Sequence, residues 1–158
     1  MKKIIISTLF VIKIFSCNNK NSKEIPNKVI VIVELVKNKD KSEEELKKFT
    51  KRYSDYVKST EPNTLGWTYH DAGDKIILIE RYKDEDANII TAKNISPGGN
   101  RYKLLQESFD YHSLEKVTVI GGFTQKLVDF NKMTAEKVGF TSPFLYYPLI
   151  SGYSKNLK

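Results

Sequence analysis

Apolar and polar residues follow two rhythms along this chain, one of period two and one near period 3.6, and each change of rhythm marks an element boundary. Residues 28–36 are β-branched and apolar at nearly every position, which predicts a strand covered on both faces. At Ser42 the rhythm lengthens. Leu46, Phe49, Tyr53, Tyr56 and Val57 share one face of a helix predicted over 42–59, with Lys47, Lys48, Lys51, Arg52, Asp55 and Lys58 opposite. Glu45 stands three residues after Ser42, the spacing of a capping box, in which each residue satisfies the other's backbone amide. Period two returns over 64–71 and 75–82, two strands joined by Ala72-Gly73 as a two-residue hairpin connection. That turn pairs Tyr69 with Ile76, Trp67 with Leu78 and Leu65 with Glu80 on one face. Thr64, Gly66, Thr68 and His70 then share the other face with Lys75, Ile77, Ile79 and Arg81.

Asp84 caps a second helix predicted over 85–94 and stopped by Pro97-Gly98-Gly99. A shorter helix over 100–108, a strand over 114–121, a helix over 124–138 stopped by Gly139, and an extended segment over 144–153 follow. The order predicts an α+β domain whose main elements have the split βαβ, ferredoxin-like arrangement, with an additional C-terminal helix and strand. A single helix layer leaves one sheet face wet, and such a face is normally polar. Here residues 28–36 and 76–79 are apolar on both faces, so a second copy of the sheet is the expected cover, making a homodimer.

The first sixteen residues read differently. Lys2 and Lys3, an apolar run over 4–15 broken by Lys13, and Ser16 before Cys17 have the parts of a secretory signal, and the run is too short to span a membrane. Ile14-Phe15-Ser16-Cys17 resembles the lipobox of bacterial lipoproteins, with Phe15 bulkier than usual. The chain is thus expected to comprise a signal peptide (1–16), a lipidated Cys17 with a polar tether (17–27), and one domain (28–158). Its expected place is the cell envelope, held to a membrane by its lipid; no acidic residue occurs over 18–23, which favours the periplasmic side. Cys17 is the only cysteine, so disulfides, thiolate zinc sites and iron–sulfur clusters are excluded within the chain. Loss of Lys2, Lys3 and Lys13 with the signal lowers the formal charge from +7 to +4, and the remaining lysines lie on predicted helix surfaces, a solvation pattern rather than a nucleic-acid patch.

Thr60-Glu61-Pro62-Asn63-Thr64-Leu65-Gly66, the hairpin, and Ile79-Glu80-Arg81-Tyr82 with Asp84, Asp86 and Ala87 together resemble the antibiotic biosynthesis monooxygenase domain. Residues 114–122, the helix after them, and Tyr147-Pro148 with Gly152-Tyr153-Ser154 resemble the C-terminal continuation of one branch, so the likeness covers about residues 28–155. It implies a dimeric α+β barrel. It also implies an activity among those of the family, which holds cofactor-independent oxygenases of quinols and phenols, haem-degrading enzymes and members without known activity. Asn94 matches an asparagine of that branch, whereas Thr91 stands where the branch often has a histidine. The haem-degrading branch requires an axial histidine on this helix, and residues 86–96 contain none.

Oxidising a quinol without a cofactor needs a base for the hydroxyl proton and a group for the resulting oxyanion, in a dry pocket. His70 is a candidate base beside the small residues Gly66 and Thr68, or an exposed strand-end histidine. Glu80, among Leu65, Trp67 and Leu78, is a base with raised pKa or the structural partner of a nearby cation. Asn94 is an oxyanion donor or a helix cap, and Trp67 and Tyr69 are a stacking surface for an aromatic small molecule or core. His112 lies in the connection over 109–112 and is the weaker histidine candidate. No HExxH, P-loop, GxGxxG or Ser-His-Asp pattern occurs, and no cofactor or metal is expected. The functional expectation is a quinol-type monooxygenase, with a non-catalytic aromatic-ligand binding module second and haem binding third. Lipid attachment has a direct test: Cys17→Ser is expected to accumulate unprocessed precursor and to abolish labelling by a radioactive fatty acid.

Overall fold

The computed structural model describes residues 28–152; the expected signal, Cys17 and tether lie outside the described residues, as do residues 153–158. The elements are β1 (Val29–Lys37), α1 (Glu43–Thr60), β2 (Thr64–Ala72), β3 (Lys75–Tyr82), α2 (Glu85–Ile95), α3 (Tyr102–Ser108), β4 (His112–Gly121), α4 (Gln125–Val138) and β5 (Phe144–Pro148). They form a mixed α+β fold with one five-stranded sheet, in the order β2-β3-β1-β4-β5, and four helices. β1 is antiparallel to both β3 and β4, and β2 is antiparallel to β3, an order consistent with a ferredoxin-like fold; β5 runs parallel to β4 at the edge.

The strand pattern decides which sheet face carries the helices. Val29, Val31, Val33 and Leu35 of β1 are buried, and with Ile76, Leu78 and Tyr82 of β3 and Val117 and Val119 of β4 they form one cluster with Leu46, Ala87, Ile89 and Leu127 of the helices. The alternate residues face away from that core. Ile30, Ile32, Ile77 and Ile79 are only half-buried, while Ile120, Leu145 and Tyr147 are exposed. This outer face is apolar at its centre, with a Glu34–Lys116 ion pair towards one end and Arg81 towards the other.

Local signals hold where they were read from backbone chemistry. The capping box forms, with Ser42 N donating to Glu45 Oε2 at 2.9 Å and Glu45 N to Ser42 Oγ at 3.3 Å. Asp84 caps α2 by accepting from Ala87 N at 2.9 Å. The amide of Thr124, the N-cap of α4, is met from another helix: Glu85 of α2 accepts from Thr124 N at 2.8 Å, tying α4 to α2.

Two expectations are corrected. The hairpin loop is Gly73-Asp74, so Ala72 pairs with Lys75, Tyr69 with Leu78 and Trp67 with Glu80. The reason is local: Gly73 adopts φ 77°, open to glycine, and Asp71 Oδ1 accepts from Gly73 N at 3.1 Å. The shift is two residues, so the side chains keep their predicted faces, except Thr64, which a bulge at Leu65 sets level with Tyr82 on the helix-bearing face. The fourth strand begins earlier, at His112, which pairs with Lys37 and is buried rather than lying in a connection. Among the described residues no helix is long and apolar enough to cross a membrane.

Candidate functional site

Helices and sheet do not close fully on one another. A cavity of about 130 Å³ remains between them, floored by Val31, Val33, Leu78 and Val117 and roofed by Ala92 and Ala135. A void of about 150 Å³ lined by apolar side chains accepts one benzene, so this space is of single-ring size. Polar groups break the apolar lining: Tyr53, Glu80, Arg101, His112 and Thr134 all contribute to it. Phe109, 43% exposed, is the one lining residue on the surface, and it meets Phe140 edge to face at 6.0 Å.

Arg101 is the residue that sequence reading missed. Its side chain is 1% exposed, which is rare for a guanidinium unless it is paired. The turn that delivers it requires glycine: a Cβ on Gly99 would lie 2.3 Å from Asn94 O, and the chain doubles back there so that Arg101 N donates to Asn94 O at 2.9 Å. Folded inward, the guanidinium lies 4.9 Å from the Trp67 ring centroid and 5.4 Å from that of Tyr53, with those two rings stacked at 5.6 Å. Nη1 stands 3.0 Å from Glu61 Oε1, an ion pair buried on both sides although not aligned as a hydrogen bond, and Nε has no acceptor. Glu61 in turn accepts from Thr91 Oγ1 at 2.5 Å, Asn94 Nδ2 at 2.9 Å and Thr64 Oγ1 at 3.2 Å.

Glu80 is the second charged group of the lining. It projects from β3 onto the helix-bearing face, 8% exposed, and accepts a hydrogen bond from Tyr82 Oη at 2.5 Å. Burial pushes its carboxyl up to about 7, against the opposing pull of the Tyr82 hydroxyl and the Arg101 charge. Burial also lifts the Tyr53 phenol to about 12 and holds that of Tyr69 above its ordinary value. Near neutral pH the lining therefore holds a half-ionised acid, a cation and neutral phenols.

The other predicted residues fall in different places. Trp67 and Tyr69 line the cavity rather than fill it; the Trp67 indole N–H has no aligned acceptor. Asn94 faces Glu61, and Thr91, at the position where the resemblance expects histidine, does the same. His70 lies apart from them: it is an exposed strand-end histidine outside the cavity, with Nε2 3.0 Å from Thr68 Oγ1, and the space beside Gly66 is taken by the Arg81 side chain. His112 does line the cavity, with neither ring nitrogen hydrogen-bonded, and burial lowers it to about 4. It does not converge with Glu80. His112 is level with Lys37 of β1 and Glu80 with Val31, six residues along the strand, or roughly 20 Å at the strand rise. Among the described residues no group of three or more His, Cys, Asp or Glu side chains is placed to hold a metal ion.

The raised acid makes a signed prediction. Glu80 titrates at about 7 folded and near 4.5 unfolded, so between those values the unfolded state sheds its proton first and stability falls as pH rises. Glu80→Gln keeps an acceptor for Tyr82 and removes that dependence. Relative to the parent, the variant is expected to gain about 2–3 kcal/mol between pH 5 and pH 8, read from urea unfolding at the two values. An unchanged difference would place the titrating group elsewhere.

Among solved structures, the crystal structure of MupZ from Pseudomonas fluorescens is similar to this chain, with a TM-score of 0.62 at 16% identity, over 82% of this chain and 96% of that one. At that identity the likeness is one of fold. No family model matches the chain. No curated protein matches it either.

Proposed function

We propose that this domain is of the antibiotic biosynthesis monooxygenase type, and that its cavity oxidises a quinol or phenol with molecular oxygen, without added cofactor. The observation that carries the reading is Glu80: a buried carboxyl, raised to about 7, in the lining of an apolar cavity of single-ring size. In a dry site a base of that pKa removes the hydroxyl proton, and the Arg101 guanidinium supports the oxyanion that results. The electron-rich ring then gives electrons to oxygen. For a phenol, one oxygen atom is inserted into the ring and the other leaves as water, four electrons passing from substrate to oxygen to yield a quinone. Glu80 is the base, Arg101 the oxyanion partner, and Trp67 and Tyr69 form the aromatic wall.

The test is oxygen uptake by the metal-stripped full chain with hydroquinone, catechol and phenol. Uptake above autoxidation is expected, reduced ~10²–10⁴-fold in Glu80→Gln and unchanged within about twofold in His70→Ala. Uptake no faster than autoxidation overturns the oxygenase. Saturable binding without uptake is the outcome of the binding-module alternative.

The same reading extends to assembly and address. The outer sheet face, with Ile32 central between Ile79 and Thr118, supports a second copy as its cover, as in a dimeric α+β barrel. Light scattering is expected to give twice the chain mass at micromolar concentration, and Ile32→Glu, with its circular dichroism unchanged, to give a monomer. A monomeric parent would remove the barrel. An envelope lipoprotein anchored through Cys17 completes the proposal, and its readout is the processing of Cys17→Ser.

A further inference from the structure

The charges of the cavity balance in a way that bears on its ligand. Of the residues lining it, only Glu80, Arg101 and His112 are ionisable in the ordinary range, and burial keeps His112 neutral near pH 7. Arg101 is already matched by Glu61, which no other cation approaches among the described ion pairs. The remaining charge is therefore that of Glu80, and it is negative or absent, never positive. Yet Arg101 Nε still lacks an acceptor, and Glu80 and Arg101 feel each other's charge. An unfilled donor and a carboxyl group in the lining of one cavity suit a hydroxyl, which accepts from one and donates to the other.

We infer that the cavity selects an uncharged, single-ring phenol or quinol, its hydroxyl seated between Arg101 Nε and Glu80, and that it rejects ring carboxylates and fused rings. This rests on the reading that the cavity holds a phenolic ligand, and it names which one. When the hydroxyl proton moves to Glu80, its O–H bond pair stays on the ligand oxygen, and the cavity's total charge is the same before and after. A ring carboxylate instead adds a second anion beside Glu80 with no cation to match it, which a low-dielectric interior disfavours strongly. The size limit is independent of charge: about 130 Å³ admits one ring, and a fused second ring requires the packed walls to move.

Anaerobic titration calorimetry on the full chain, where no turnover occurs, tests both limits with hydroquinone, 4-hydroxybenzoate and 2-naphthol at pH 7.5. Hydroquinone is expected to bind saturably, and each of the others at least ~10-fold more weakly. In Glu80→Gln, which removes the unmatched anion and keeps the cavity's shape, the 4-hydroxybenzoate deficit is expected to shrink about 3-fold, leaving the part that its size imposes, while the 2-naphthol deficit is unchanged. Equal binding of hydroquinone and 4-hydroxybenzoate by the parent overturns the charge rule, as does a deficit unmoved by Glu80→Gln. Naphthol binding as tightly as hydroquinone overturns the size rule, and no binding of hydroquinone overturns both. Selective binding without oxygen uptake removes only the oxygenase; oxygen uptake with unselective binding removes only this inference.

Discussion

The buried pair of Arg101 and Glu61 is the constraint around which the helix-bearing half of the molecule is arranged. A guanidinium taken out of water must be matched, and the match here draws on four places in the chain. Glu61 comes from the turn after α1, Thr64 from β2, Thr91 and Asn94 from α2, and Arg101 from the loop before α3. Deleting one partner of such a pair costs about 3–5 kcal/mol, because the other charge is left alone, yet the intact pair adds little over an apolar replacement. Its effect is one of specification. It ties α2 and the loop before α3 to the turn after α1, with the guanidinium packed over Trp67 and Tyr53.

Two carboxylates therefore share one interior under opposite conditions. Glu61 has a cation and three donors, and its oxygens are fully engaged. Glu80 accepts from one hydroxyl, and burial holds its proton to about pH 7 against the pull of that hydroxyl and of the Arg101 charge. The cavity lies against the second of them. His112, buried but level with the far end of β1, is too distant from Glu80 to share a proton with it.

The sheet carries a second constraint on its outer face. β1 is the central strand, flanked by β3 and β4; its outward Ile32 is level with Ile79 of β3, and its outward Ile30 with Ile120 of β4. The residues that line the cavity are the alternate ones on the same strands, so any cover over the outer face would press on the cavity floor through Val31 and Val33. Packed interiors transmit such strain because they have little free volume. The apolar outer face and the cavity are thus on two sides of one layer.

Local chemistry was legible in the residues themselves. The capping box at Ser42, the cap at Asp84, the helical stripe through Phe49 and Tyr53, and the strand faces of the hairpin are short-range consequences of side-chain periodicity and backbone donors. Glu80 was legible as a carboxylate among apolar neighbours, since strand alternation alone sends it inward. Arg101 was not. It falls in the short helix predicted over 100–108 with no apolar pattern to send it inward, and only the close return over Asn94, which Gly99 permits, turns it into the core. His112 likewise became buried because β4 pairs two residues further along β1 than its own apolar pattern suggests. Periodicity determines which side of an element a residue faces. What it meets there depends on contacts between elements far apart in sequence, and those the tertiary structure alone decides.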